Sequence, residues 1–309
     1  MGFRVGIVGL PNVGKSTLFN ALTRTAAAQA ENFPFCTIEP TTGEVAVPDP
    51  RLDEIAGVAR SARVVPTRMT FVDIAGLVAG ASRGEGLGNR FLANIREVDA
   101  IAHVLRCFDD PDIAHVAGRA DPVADAETVE TELMLADLDS VERRIAALQR
   151  KIRGGDAEAV RENRLLEAAK NELEAGRPAR VAEIAPEDRA AFARLQLLTT
   201  KPVLYIANVD EESSASGNAL SAALARKAEA DGSGMVTVSA RIEAEISQLD
   251  DAEAQEFLTG MGLAEAGLDR VIRAGYSLLG LETFFTAGPK ETRAWTVPAG
   301  TRAPQAAGV

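Results

Sequence analysis

Short apolar runs are spaced widely along the chain. Phe3 to Val8, Arg68 to Ile74, Ala100 to Cys107, Pro202 to Asn208 and Met235 to Ser239 each read as a strand. They are almost continuously apolar, which predicts strands covered on both faces and therefore a buried, mostly parallel sheet. Helical patterns run between them. Leu18, Phe19 and Leu22 share one face of a stretch from Lys15 to Thr25. Strands alternating with helices indicate an α/β fold.

The pattern changes from Asp121 to Leu198. No convincing strand occurs there, and Ala, Glu and Arg dominate. Met134, Leu138, Val141, Ile145, Leu148 and Ile152 recur at steps of 4, 3, 4, 3 and 4, an a/d heptad seam. Gly154-Gly155 stops the seam. A second helix places Leu165, Leu166, Ala169 and Leu173 on a face and ends near Gly176 and Pro178. A projecting antiparallel coiled-coil hairpin is predicted, because the connection far exceeds an ordinary crossover; plain crossover helices are the simpler alternative. From Leu281 the pattern shifts again. Glu282 to Thr286 and Arg293 to Val297 read as two strands around Gly288-Pro289. Only 29 residues run from Leu281 to Val309, too few for an independent sheet domain without help.

Composition narrows the class. The 309 residues suggest about two domains, and 46% hydrophobic with 25% charged residues is a globular balance. No run approaches the roughly 18 uncharged apolar residues of a membrane span, so no membrane partner is expected. The apolar N-terminus lacks the features of a signal peptide and reads as a mature strand. Two cysteines, Cys36 and Cys107, make no disulfide framework, which fits a reducing, cytoplasmic setting. The net charge of −12 argues against bulk-charge binding to nucleic acid, and no DNA partner is expected. It leaves room for a local basic patch.

The strongest chemical signal is Gly9-Leu10-Pro11-Asn12-Val13-Gly14-Lys15-Ser16, which fits G-x-x-x-x-G-K-[ST] between a strand and a helix. The glycines let backbone N–H groups wrap phosphates, with Asn12, Val13, Gly14 and Thr17 in the cradle. Lys15 is expected to reach the β- and γ-phosphates and Ser16 to offer its hydroxyl to Mg²⁺. Asp73-Ile74-Ala75-Gly76 ends an apolar strand, which suits an Asp holding Mg²⁺ through water and a Gly whose N–H meets the γ-phosphate. Thr37, in the loop Asn32 to Pro40, is the candidate that completes the metal shell; a turn hydroxyl is its structural alternative.

GTPases of this architecture end a strand with N-K-x-D, whose Asp accepts from guanine N1 and N2. Here the strand ends Asn208-Val209-Asp210-Glu211. Val209 stands in place of Lys and Glu211 in place of Asp, while Asp210 is one position early. The longer Glu211 crowds a guanine 2-amino group, which adenine lacks. Ser239 follows the next strand, where a further backbone contact to the base is usual.

These segments resemble the YchF family of Obg-like ATPases. The similarity is carried by Gly6 to Thr17, Asn32 to Pro40, Asp73 to Ala81 and Gly84 to Asn89. It implies a P-loop NTPase of the Obg type with a mostly parallel sheet, a coiled-coil insertion and the start of a β-grasp TGS domain. The expected division is 1–120 and 199–280 for the G domain, 121–198 for the insertion and 281–309 for a partial TGS domain that stops short of the family's complete sheet. The resemblance implies preference for ATP, association with ribosomes, and Asn208, Val209 and Glu211 around the adenine. Phe108 either stacks on the base or belongs to the core. By analogy with potassium-assisted Obg-type enzymes, Asn12 is a candidate K⁺ ligand.

The residue after D-x-x-G, where many small GTPases carry a water-orienting Gln, is Leu77. Leucine cannot hold water, so hydrolysis is expected to be slow or helped by another group, with Gly76 to Gly88 as a mobile switch. His115 follows a polar loop and is either the group that positions water or an exposed loop histidine; His103, inside an apolar strand, is expected to be structural. Cys36, beside Thr37, is either redox-sensitive or inert. Lys15, Gly76 and His115 form the candidate catalytic set, in a chain expected to be a monomer. An ATPase switch on the ribosome is the favoured reading, against a GTPase of the same fold and a binding module with negligible turnover.

Overall fold

The computed structural model describes residues 3–30, 42–74, 87–110, 119–306 and 308. Strand β1 (Arg4–Val8) runs into a loop and α1 (Lys15–Ala30). Then come β2 (Thr42–Ala46), α2 (Pro50–Ala59), β3 (Val64–Val65), β4 (Arg68–Asp73), α3 (Leu87–Arg96) and β5 (Ala100–Arg106). Two long helices, α4 (Pro122–Arg153) and α5 (Ala157–Glu174), lead through 3₁₀ turns and the short α6 (Arg189–Ala193) to β6 (Val203–Asn208). The chain continues with α7 (Ala219–Ala230), β7 (Gly234–Val238), α8 (Ala240–Ile246), α9 (Asp251–Gly260) and α10 (Gly267–Leu278), and closes on β8 (Leu281–Ala287), β9 (Thr292–Pro298) and α11 (Ala303–Ala306).

The main sheet has the order β2-β4-β1-β5-β6-β7, parallel except for β2. Every residue of β5 and of β6 is buried, as their largely apolar sequences predict for strands with helices on both faces. From β1 the chain moves to β4 on one side and later to β5 on the other, so a crevice opens at the carboxyl ends of these strands. The sequence reading passes over β2 because Thr-Gly-Glu-Val-Ala is short and half polar; it is an edge strand with only Gly43 and Val45 buried. It also passes over α2, although the start signal is present: Asp49 caps the helix by accepting from the Arg51 N–H, with Pro50 in the first turn.

The heptad seam forms the predicted hairpin. Val141, Leu165, Leu166, Ala169 and Leu173 are buried together, with Met134, Leu138, Ile145 and Leu148 packed against them. The hairpin and the sheet share a helix, however. The first half of α4 places Ala126, Val129, Leu133 and Ala136 in the sheet core, so the insertion expected from residue 121 emerges from the middle of α4. Among the described residues no helix is long and apolar enough to cross a membrane.

The last two strands obtain their help from an earlier segment. β8 and β9 pair antiparallel, and β3 adds to β9 in parallel through Val64↔Thr292 and Val65↔Arg293. The Ser61 hydroxyl donates to the Gly288 carbonyl at 2.7 Å, the Ala62 N–H donates to the Pro289 carbonyl at 3.0 Å, and the Tyr276 hydroxyl on α10 donates to the Glu282 carbonyl at 3.0 Å. The hairpin is thereby clamped onto α2 and α10.

His103 sits on β5, 2% exposed, with Nε2 unpartnered. Burial, reinforced by the Lys227 charge, holds its imidazole down to a pKa of about 3. The folded chain therefore refuses a proton that the unfolded chain accepts below about pH 6.5, so stability falls as pH drops from there toward 3. His103→Leu is expected to match the wild type above pH 7 and to exceed it by about 2 kcal/mol at pH 5 in urea denaturation. An unchanged difference between the two across that range would count against a neutral buried imidazole.

Candidate functional site

The loop after β1 is shaped by contacts that exclude side chains. A Cβ on Gly9 would lie 2.7 Å from the Val104 carbonyl oxygen of β5. Gly14 has φ +91°, and a Cβ there would come within 2.2 Å of Asn208 Nδ2. Asn12 also takes a left-handed conformation, φ 63°, which asparagine tolerates better than most residues. The loop ends at Lys15, the first residue of α1, and the first turn of α1 carries no acidic residue. Ser16 and Thr17 are exposed on that turn. A helix N-terminus with exposed hydroxyls, free of carboxylates and fed by a glycine-bounded loop, is built to receive an anion.

The Lys15 ammonium is paired with the Asp73 carboxylate at the end of β4, and both side chains are largely buried. This brings two predicted residues, 58 apart in sequence, into contact. Ser16 and Asp73 are both oxygen donors, the hard donor set that Mg²⁺ takes when substrate phosphates supply the rest of its shell.

Asn208 is the keystone between this loop and the next candidate subsite. It is 3% exposed. Its Nδ2 donates to the Val13 carbonyl at 2.9 Å, and its Oδ1 accepts from the Ala240 N–H at 2.9 Å. Oδ1 and one of the two Nδ2 hydrogens are thus engaged within the protein. The resemblance expects Asn208 beside the base; within the protein its amide ties the phosphate loop to the start of α8. Val209 is likewise anchored within the protein. It is 2% exposed in the sheet core, and its N–H donates to the Val238 carbonyl at 2.8 Å, because the ladder between β6 and β7 continues past the strand ends.

The two acidic residues that follow diverge. Asp210 Oδ1 accepts from the Ser213 N–H at 2.8 Å, so its carboxylate caps its own loop. Glu211 stays half-exposed and pairs with Arg241 Nε at 2.8 Å. Arg241 is the second residue of α8, so this pair bridges the loops after β6 and β7. Ser239, immediately before α8, is 2% exposed with its hydroxyl unpartnered.

One organising residue escaped the sequence reading. Arg106 ends β5 and is 2% exposed. Its Nε donates to the Phe108 carbonyl at 3.0 Å, an Nη donates to the Asp110 carbonyl at 3.1 Å, and its guanidinium lies 4.7 Å from the centre of the Phe108 ring. One face of Phe108 is therefore covered from within. The signal was a lone cation in an otherwise apolar strand. Cys107 is buried and its thiol is pushed up to about 12, largely by burial, which leaves it inert. Cys36, Thr37, Gly76, Leu77 and His115 lie outside the described residues.

Comparison with known proteins agrees with this geometry. Residues 4–146 match a family described as 50S ribosome-binding GTPase. Residues 281–309 match the C-terminal family of YchF GTPases, described as a protein of unknown function. The chain is 56% identical over 309 residues to the ribosome-binding ATPase YchF of Haemophilus influenzae, covering 100% of this chain and 85% of the relative. It is 49% identical over 311 residues to the ribosome-binding ATPase YchF of Bacillus subtilis, with the same coverage of 100% and 85%. Among solved structures, the Schizosaccharomyces pombe YchF GTPase matches with a TM-score of 0.88 and 37% identity, covering 100% of this chain and 84% of that one.

Proposed function

Because the chain belongs to the YchF family of P-loop nucleotide hydrolases, we propose that it is an ATP-selective, Mg²⁺-dependent ATPase that works as a switch on the ribosome. Lys15 leaves Asp73 when a triphosphate enters and clamps its phosphates. Ser16 and Thr37 hold the metal, with Asp73 behind them. The bound Mg²⁺ would neutralise charge on the phosphate oxygens. Gly76 meets the γ-phosphate, His115 positions water where Leu77 cannot, and Asn12 is the site of K⁺. Turnover is slow, the chain is monomeric and cytoplasmic, and residues 281–309 belong to a TGS domain.

Selectivity for ATP is carried by one observation. The only aspartate near the N-K-x-D position, Asp210, spends its carboxylate on the Ser213 N–H. The remaining acceptor, Glu211, is oriented by Arg241 rather than free to swing onto a guanine edge. A site without a paired acceptor for guanine N1 and N2 leaves two buried donors unsatisfied, which weakens GTP by several kcal/mol. Direct competition between ATP and GTP for the purified protein is expected to favour ATP by about a hundredfold or more. Equal affinities would overturn this selectivity, and absence of multiple-turnover phosphate release would reduce the protein to a binding module. Co-sedimentation with purified ribosomes, with and without ATP, tests the partner.

A further inference from the structure

Helix α10 begins without a cap of its own. Ala266 stands at the N-cap position with extended backbone, φ −63° and ψ 142°, and its methyl group cannot accept from the first N–H groups. The missing acceptor comes from another helix. Glu243 of α8 is 2% exposed. Its Oε1 accepts from the Gly267 N–H at 2.8 Å, and its Oε2 accepts from the Leu268 N–H at 3.1 Å. The fit is close: a Cβ on Gly267 would lie 2.7 Å from Oε1. A carboxylate on these donors also complements the α10 dipole.

Both ends of this link lead further. The Glu243 N–H closes the first turn of α8 onto the Ser239 carbonyl at 3.0 Å. In that same turn the Ala240 N–H is held by Asn208, and Arg241 pairs with Glu211. Glu243 is thus one helical turn from the candidate base subsite. At the far end of α10, the Tyr276 hydroxyl lies 2.9 Å from the Thr283 hydroxyl of β8 and 3.2 Å from the Thr296 hydroxyl of β9. Leu281, the first residue of β8, is buried in one core with Leu268, Val271, Ile272 and Tyr276 of α10. The 12 residues of α10 span about 18 Å as one rigid element. The C-terminal hairpin also leans on α2 and β3, but α10 is the support that Glu243 joins to the nucleotide side.

We propose that Glu243 is a positioning residue that couples the base subsite to the C-terminal hairpin, so that a nucleotide bound against α8 steadies β8 and β9 through α10. This rests on the nucleotide-binding reading above. Capping of α10 is the plainer role for Glu243. Capping alone makes the helix depend on Glu243 but leaves the hairpin indifferent to nucleotide.

The test is amide hydrogen exchange on the whole chain, with and without Mg²⁺ and a saturating non-hydrolysable ATP analogue, and in parallel with the matching GTP analogue. Two variants are compared with the wild type. Glu243→Gln turns one amide N–H₂ toward a backbone donor and so breaks half of the link. Glu243→Gln/Ala266→Asp then gives α10 a local cap, which restores the helix without tying it to α8. In the wild type the ATP analogue is expected to slow exchange across residues 281–298 about tenfold. In the double variant the thermal midpoint is expected to return toward the wild-type value while that slowing falls below about twofold. Slowing that persists in both variants overturns the inference. So does slowing that is lost in Glu243→Gln but regained in the double variant, because capping alone would then suffice. A wild type that binds the ATP analogue with no change across residues 281–298 also overturns it, and leaves the nucleotide reading standing. If the GTP analogue binds and protects as well as the ATP analogue, the inference stands and the ATP-selective reading fails.

Discussion

Asn208→Ala is expected to weaken nucleotide binding by about two orders of magnitude and to destabilise the fold by about 2–4 kcal/mol. The asparagine joins the phosphate loop to the start of α8. Its removal strands the Val13 carbonyl and the Ala240 N–H, both buried, and each unsatisfied group costs about 1–3 kcal/mol. The affinity loss has a separate origin. Gly14 is packed so closely on Asn208 Nδ2 that the phosphate loop is held in its left-handed turn from behind. Without that support the loop samples other conformations, and a triphosphate must order it on binding. Asn208→Asp is a sharper test. It keeps an acceptor for the Ala240 N–H but sets a carboxylate oxygen against the Val13 carbonyl oxygen in a buried site, so it is expected to be at least as damaging as alanine. Calorimetric titration with ATP and urea denaturation measure the two effects. An aspartate variant with wild-type affinity would show that the clasp does not organise the loop.

The phosphate loop and the strands were legible in the sequence because both are local signals. Gly9 to Ser16 carries its own turn chemistry, and β5 and β6 are largely apolar. Non-local pairings were not legible. Nothing in Val64-Val65 announces a partnership with Thr292-Arg293, 228 residues away, and that pairing is what lets the final hairpin form a sheet. The contacts that Asn208 and Val209 make within the protein are hidden from the sequence for a related reason. A motif gives residue types at strand ends, but whether a side chain faces a ligand or a neighbouring loop depends on the register of β6 against β7 and on where α8 begins. Arg106 was missed because a cation in an apolar strand reads as noise until Phe108 and Asp110 are seen to present carbonyls to it.

The domain organisation turns on Asp137, and here the largest stability effect is expected. Asp137 is 1% exposed and lies on α4 just where that helix leaves the sheet core for the hairpin core. Its Oδ1 accepts from the Leu198 N–H at 2.9 Å, and its Oδ2 accepts from the Thr199 N–H at 2.8 Å and the Thr199 hydroxyl at 2.7 Å. The same hydroxyl accepts from the Ala179 N–H at 3.0 Å, which draws a third segment into the knot. Burial raises the carboxyl pKa and these hydrogen bonds oppose the rise, so the group's place is held by its partners rather than by solvent. Asp137→Ala leaves three buried donors without an acceptor at a point where α4 is stitched to the chain re-entering β6. It is expected to cost about 3–5 kcal/mol. Asp137→Asn is expected to recover little, because its amide N–H₂ must face the donors that Oδ1 or Oδ2 now satisfies. Val141→Ala, four residues on and wholly within the hairpin core, serves as the contrast: it loosens the hairpin without cutting the stitch. If Asp137 couples the two cores, its alanine variant should split a single urea transition into two, with the hairpin melting first, whereas Val141→Ala should shift the curve as one. A single, unshifted transition for Asp137→Ala would mean that apolar contact along α4 alone carries the coupling.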